Sequence, residues 1–253
     1  VITREDSKFF LDLLSSPVKV DAWKHIYLLL TNILTLNEVR EKKKDYFELL
    51  EENDYMWNFL EFMIRMGIIT KEDSKEFVKL LTSPNEMVRV RAWLFSCVLI
   101  RMGILTAEEV MEKKEYFLSL LEASDKGTRI MAFTLGVKRG LLSRDKILEL
   151  LASKDEKLRY EVWSSIRKFT DMLEEAKKRK EYFIQLLRSS DYSIRLRAWS
   201  NVVDLINKGI LTTDDVRGEI EYFIQLLVSE KEAWDILNEL VCKGVIADVK
   251  EFI

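Results

Sequence analysis

The residues able to do covalent or metal chemistry are few and far apart. His25 is the only histidine, and Cys97 and Cys242 are the only cysteines. A catalytic metal centre needs several imidazole, thiolate or carboxylate ligands converging on one point, and a histidine-based triad needs a nucleophile within hydrogen-bond reach. One imidazole and two distant thiols do not build either. There is no Gly-rich phosphate loop, no nucleophile elbow and no Cys-x-x-Cys. Cys97 and Cys242 lie in apolar helical stretches and read as small buried hydrophobes, in a chain with no disulfide framework that suits a reducing cytoplasm. His25 reads as a helix residue beside Trp23. The expectation is a non-enzyme with no catalytic residue, no metal ligand and no cofactor.

Charge offers a second chemistry. Lys42-Lys43-Lys44, Lys113-Lys114 and Lys177-Lys178-Arg179-Lys180 could together form a ridge for an anionic partner or an RNA phosphate. Glu41, Glu112, Glu115, Glu174-Glu175 and Glu181 flank these runs, and the competing reading is a solvated face of helical ion pairs. A formal net charge of -3 argues against a domain built mainly to hold a nucleic-acid backbone. The remaining chemistry is apolar binding, which becomes visible only once the helices that carry it are placed.

Eight glycines and two prolines in 253 residues, with 48% hydrophobic and 33% charged, leave a chain that is almost wholly helical and has ample material for a core. No apolar run reaches membrane-spanning length and no signal-peptide pattern opens the chain. The abundance of Lys and Glu beside only two glutamines fits a thermophilic source.

The chain is self-similar. A Leu-Leu pair recurs at Leu13-Leu14, Leu49-Leu50, Leu80-Leu81, Leu120-Leu121, Leu150-Leu151, Leu186-Leu187 and Leu226-Leu227, and Tyr46-Phe47, Tyr116-Phe117, Tyr182-Phe183 and Tyr222-Phe223 precede four of them. A short polar stretch follows each pair, as in Thr82-Ser83-Pro84, where one helix ends and another begins. The second helix opens with a shared signature, nearly the same in Val88-Arg89-Val90-Arg91-Ala92-Trp93 and Ile194-Arg195-Leu196-Arg197-Ala198-Trp199. All six tryptophans, at 23, 57, 93, 163, 199 and 234, then share one repeat position, with Phe133 filling it in the fourth unit. Gly, two aliphatics and Thr or Ser end the second helix at Gly67, Gly103, Gly140 and Gly209, and Asn32 takes the glycine's place in the first unit. Gly or Asn there supplies a left-handed C-cap, and the Thr or Ser caps the next helix. Seven helical hairpins result, and only the fifth, at Lys168 to Asp171, breaks the closing signal.

Leu-Leu, a turn with Asp or Pro and then Val/Ile-Arg-x-x-Ala resembles the HEAT repeat, most clearly at Asp191 with Ile194-Arg195, Asp155 with Leu158-Arg159, and Asp125 with Arg129 and Ala132. The resemblance implies an all-α, right-handed solenoid running as one continuous array over residues 1–253. It also implies a ladder of turn Asp and helix Arg between successive repeats, involving Arg89, Arg129, Arg159 and Arg195. The short units and the tryptophan column depart from that family. HEAT-like hydroxylases use His-Glu metal pairs, which His25 alone cannot supply. HEAT-like alkylbase DNA glycosylases use a basic groove with aromatic and acidic residues; Trp234-Asp235 and Asp21 near Trp23 are the nearest equivalents, without the basic excess.

Counted from the tryptophan, one face of the sixth unit's second helix carries Arg197, Asn201, Asp204 and Lys208, while the same positions are Tyr55, Phe59, Phe62 and Met66 in unit two and Arg91, Phe95, Val98 and Met102 in unit three. Helices apolar nearly all round are either covered or present a patch. The patch reading is a groove for a partner helix or peptide on the face that is commonly concave in HEAT proteins. Its competitors are a rotated helix with Asn58, Glu61 and Arg65 outward, and a cover formed by self-association. Both ends fall in the same phase of the repeat: Val1 to Lys8 matches Ile68 to Lys75, and Gly244 to Ile253 mimics Gly67 onward. That phase leads us to expect a segment of a longer array, or end-to-end stacking. The functional expectation is a non-enzymatic protein-interaction scaffold using Tyr55, Phe59, Phe62, Met66, Phe95, Val98 and Met102. The alternative is a HEAT-like nucleic-acid-binding or repair protein.

Overall fold

In the computed structural model, which describes residues 3–166 and 168–246, the chain is all-α, and the described residues contain no strand. It divides into two compact units, residues 1–132 and 133–253. The first unit holds α1 (Ser7–Leu13), α2 (Lys19–Lys24), α3 (Ile26–Asn32), α4 (Leu36–Glu41), α5 (Lys43–Glu52), α6 (Leu60–Arg65), α7 (Ser74–Leu81), α8 (Glu86–Arg101), α9 (Ala107–Met111) and α10 (Lys114–Leu118). The division falls within α11 (Lys126–Lys138). The second unit continues with α12 (Arg144–Leu150), α13 (Glu156–Ile166), α14 (Leu173–Lys177), α15 (Lys180–Leu187), α16 (Tyr192–Asn207), α17 (Thr213–Arg217), α18 (Ile220–Ser229) and α19 (Ala233–Cys242).

The expected punctuation is present. Gly67, Gly103, Gly140, Gly209 and Gly244 all take positive φ, between 64° and 74°. At Gly103 the turn lets the Ile104 N–H donate to the Leu99 carbonyl at 2.9 Å, closing a Schellman-type C-cap. The same bond recurs at Ile68 to Met63, Leu141 to Gly136, Ile210 to Leu205 and Val245 to Leu240. The threonine that follows opens the next helix: the Thr106 N–H donates to the Glu109 carboxylate at 2.7 Å, and the Glu109 N–H donates back to the Thr106 hydroxyl at 3.1 Å. Thr35 with Glu38 and Thr212 with Asp215 repeat this capping box. Asn32 does not act as a left-handed cap. It is the last residue of α3, and no described non-glycine has positive φ.

The tryptophan column is core in five of its six members: Trp23, Trp57, Trp93, Trp163 and Trp199 are fully buried, as is Phe133 in the same register. Each indole N–H donates to the carbonyl of the second leucine of its Leu-Leu pair, from Trp23 to Leu14, Trp57 to Leu50, Trp93 to Leu81, Trp163 to Leu151 and Trp199 to Leu187, at 2.9–3.3 Å. Leu81 and Leu187 end α7 and α15, so the indole satisfies a carbonyl that has no partner in its own helix. Trp234 makes the same bond to Leu227 at 3.1 Å yet is 53% exposed. The ring also meets an aromatic three residues before the next Leu-Leu: Tyr46 beside Trp23, Phe117 beside Trp93, Phe183 beside Trp163 and Phe223 beside Trp199, tilted and at 5.0–5.5 Å between centroids. In the second unit of the sequence pattern it is Tyr46 that takes the place held elsewhere by Phe, and Phe47 packs on Phe77 instead.

Three of the four arginines implied to form a ladder donate within their own turns. Arg89 donates to the Ser83 carbonyl, Arg129 to Ala123 and Ser124, and Arg159 to Ser153. Arg195 is buried against the Tyr192 ring, 4.5 Å from its centroid. Asp155 and Asp191 cap the helices that follow them. Contacts across longer sequence separations include Glu86 with Ser124 and Lys43 with Asp73 in the first unit, and Glu156 with Ser189 and Lys180 with Asp215 in the second. Where the fifth closing signal is missing from the sequence, a 3-10 turn at Thr170–Met172 leads into α14. The end signals at residues 1–2 and 247–253 lie outside the described residues.

Candidate protein-interaction surface

Seven residues separate Leu50 from Trp57, whereas twelve separate Leu81 from Trp93. The shorter connection is accommodated by winding the start of the helix tightly: Asn53 accepts from the Tyr55 N–H at 3.0 Å, Asp54–Phe59 is 3-10, and only then does α6 begin. A 3-10 segment rises faster per residue than an α-helix, so the indole still reaches the Leu50 carbonyl. Asn85, by contrast, caps a regular α8 of 16 residues. α8 packs against the 3-10 segment, which places the two expected rows side by side.

Met56, Trp57, Leu60, Met63 and Ile64 face the core. Of the expected binding residues, Tyr55 (52%) and Met66 (38%) are exposed, and Phe59, Phe62, Phe95, Val98 and Met102 are half-buried. Tyr55 stacks edge-on against Phe59 at 5.3 Å, and Phe95 leans on Trp57 at 5.5 Å. The rotated-helix alternative is met in part, since Asn58 and Arg65 also face outward and Glu61 is half-buried. The outward face therefore carries both rows, an apolar one and a polar one.

In the other unit the same register is polar at similar exposure. Arg197 and Lys208 are exposed and Asn201 and Asp204 half-buried. Arg197 pairs with Glu161 at 3.0 Å, and Asn201 donates to the Tyr160 hydroxyl at 3.0 Å. In these helices the same register is open to water with different composition, whereas its equivalents Leu135, two beyond Phe133, and Ile236, two beyond Trp234, are buried.

Residues of the first hairpin extend the apolar face and were not expected. Leu28 stands five residues beyond Trp23, as Phe62 does beyond Trp57, and is 51% exposed. Tyr27, 49% exposed, meets Phe62 edge-on at 6.4 Å, and the Lys24 Nζ sits 4.8 Å above the Tyr55 ring. Counting from Trp23 as from the other tryptophans would have found Leu28. Beside the apolar row, Glu61 accepts from Arg65 at 2.6 Å within its own helix and from Arg101 of the next hairpin at 3.0 Å. The Arg65 hydrogen bond, opposed by desolvation and reinforced by the charge of Arg101, holds the Glu61 carboxyl below its ordinary range.

Other chemistry finds less support. Cys97 and Cys242 are exposed free thiols, so the expectation that they are buried is corrected. Cys97 lies four residues beyond Trp93 and Cys242 eight beyond Trp234, the register of Glu61 and Arg65 on the outward row. His25 is exposed at the junction of α2 and α3, its Nδ1 3.0 Å from the Asp21 carbonyl. No group of His, Cys, Asp and Glu among the described residues could hold a metal. The basic runs are largely engaged: Lys43 with Asp73 at 2.6 Å, Lys178 with Glu175 at 2.7 Å, Lys180 with Asp215 at 2.5 Å and Lys42 with the Ser15 hydroxyl at 3.3 Å. No helix of the described residues is long and apolar enough to cross a membrane. The all-helical chain, with its recurring caps and indole bonds, is compatible with a helical-repeat protein. Neither a scan against protein-family models nor a search of curated proteins finds a match.

Proposed function

We propose that the chain is a HEAT-like helical-repeat scaffold of the cytoplasm that binds a partner helix or peptide through the apolar face of its second and third hairpins, with no chemistry of its own. The observation that carries this reading is the contrast between registers. Positions as open as Arg197 and Lys208 in one hairpin hold Tyr55 and Met66 in another, with Phe59, Phe62, Phe95, Val98 and Met102 half-open between them. Apolar side chains left in contact with water at positions where polar ones fit equally well are characteristic of binding surfaces. Two methionines and four aromatic residues suit a groove that accommodates an amphipathic helix. The two exposed thiols fit a reducing compartment.

The test is a displayed library of amphipathic helical peptides selected on the immobilised chain. Selected peptides should lose binding to Phe62→Glu and keep it to Arg197→Glu, with both variants retaining the native helical circular-dichroism signal. Failure to select any peptide, or peptides indifferent to Phe62→Glu, would remove the reading. Strongly salt-dependent binding of DNA or RNA would favour the nucleic-acid alternative.

A further inference from the structure

The same face carries an electrostatic feature that narrows the partner. The pentapeptide Ile-Arg-Met-Gly-Ile occurs at residues 64–68 and again at 100–104, so two neighbouring hairpins end their second helices on an identical Arg-Met pair. Arg65 and Arg101 converge on one carboxylate, that of Glu61, at 2.6 and 3.0 Å. Two guanidinium charges against one carboxylate leave one positive charge, held where Met66 and Met102 end the apolar row. Both guanidinium groups are about two-thirds exposed, at 68% and 64%, and each is a planar fork with N–H donors beyond those that Glu61 takes. At the other end of the row the charges cancel, with Arg91 on Asp54 at 2.9 Å and Lys24 on Asp21 at 3.2 Å. The face is therefore polarised along the helices, neutral beside Tyr55 and positive beside Met66.

We infer that the partner is an acidic amphipathic helix whose apolar stripe lies on the Tyr55 to Met102 face and whose carboxylates meet Arg65 and Arg101. This rests on the scaffold reading above and adds to it the sign of the partner and its direction on the groove. From Tyr55 to Met66 the row runs roughly 17 to 19 Å, which matches about three to four turns of a bound helix. Glu61 holds the two arginines together and also competes with the partner's carboxylate for them.

The probes are three synthetic helical peptides with one leucine stripe, differing only in whether the residues at one end are Glu, Gln or Lys. Binding is measured by fluorescence anisotropy at about 0.15 M salt. The Glu peptide should bind about three- to fivefold more tightly than the Gln peptide, the scale of an exposed ion pair, and the Lys peptide most weakly. Arg101→Gln should abolish the preference for Glu, and Glu61→Gln should increase it by freeing both guanidinium groups. A Glu61 that served only to hold the fold would on replacement weaken all three peptides alike and leave the preference unchanged, which would overturn the competition. Equal binding of all three peptides, still lost on Phe62→Glu, overturns the acidic partner and leaves the groove standing. Binding of none, or binding unaffected by Phe62→Glu, overturns both. Binding of a single-stranded RNA oligonucleotide with the same Arg101 dependence, and of no peptide, would replace the carboxylate by a phosphate.

Discussion

Trp199 and Trp234 share a repeat position, a unit and a hydrogen bond, and differ in burial, which makes them a controlled pair for asking what the tryptophan column contributes. Trp199 is fully buried between the Leu187 carbonyl and the Phe223 ring, while Trp234 bonds the Leu227 carbonyl with 53% of its surface exposed. A buried indole removes roughly 200 Å² of surface from water, worth about 5 kcal/mol as an upper limit at ~25 cal/mol per Å². Truncation to Ala at such sites costs about 3 to 5 kcal/mol. Half that burial, with the same hydrogen bond, gives about 1.5 to 2.5 kcal/mol for Trp234→Ala. Trp199→Phe keeps a ring and deletes the donor, stranding the carbonyl that ends α15, and should cost about 1 to 3 kcal/mol. Urea unfolding followed by far-ultraviolet circular dichroism measures all three without relying on the fluorophore being removed. Equal costs for the two Ala variants, within about 0.5 kcal/mol, would refute burial as the dominant contribution. A Trp199→Phe change with no cost would refute the role given to the indole N–H.

Three further outcomes follow from separate features. Gly103→Ala, at φ 74° with open space around the Cβ, should cost about 1 to 2 kcal/mol from backbone strain alone, whereas Gly136→Ala puts a methyl 2.7 Å from Leu142 Cγ and should cost as much or more through overpacking; thermal melts compare them. Hydrogen bonds from Arg4 and Thr35 hold the Glu38 carboxyl down at about 2, so its contribution is complete above the unfolded value, about 4.3, and is lost as pH falls towards 2; Glu38→Gln should flatten that part of the stability curve measured by urea titration at successive pH values. Both thiols should react with an aromatic disulfide reagent in the native state at rates close to those of the unfolded chain, and protection of either would contradict its exposed placement.

What the sequence made legible was whatever a single residue type enforces locally. Glycine at a C-cap is one such signal, because the left-handed turn selects it, and all five glycines in that position adopt positive φ. The indole is another, because its size selects the core and its N–H finds the carbonyl that a helix end leaves over. Asn32 shows the limit: Asn tolerates the left-handed region without requiring it, and here the chain continues as helix. The arginines show a second limit, because sequence spacing places a side chain on a face without saying which carbonyl its fork reaches. The cysteines were misjudged because their apolar neighbours drew attention from their register, which was already that of Glu61 and Arg65. Glu61 with Arg101 could not be read at all, since a contact spanning 40 residues leaves no periodic trace.

The proposed binding surface lies on the outward row of the second helix, apart from the residues that set the helix ends and the core. Trp, Leu-Leu, Gly and Thr determine where each helix starts, stops and faces the core, and they do so whether the outward row is polar, as at Arg197 and Asn201, or apolar, as at Tyr55 and Phe59. Between the helices of Trp57 and Trp199 the outward row is thus where the chemistry differs while the indole bond is kept. A departure there is informative in proportion to its cost: exposed aromatics and methionines risk aggregation, and a shared carboxylate leaves a guanidinium incompletely paired. The two departures coincide on the second and third hairpins, and the first hairpin continues the apolar one through Tyr27 and Leu28. Replacing Tyr55, Phe59, Phe62 and Met66 together by the Arg, Asn, Asp and Lys of the sixth hairpin separates scaffold from surface: the chain should fold with its helical content intact and no longer bind the peptides selected on it, whereas unfolding would return the row to the core.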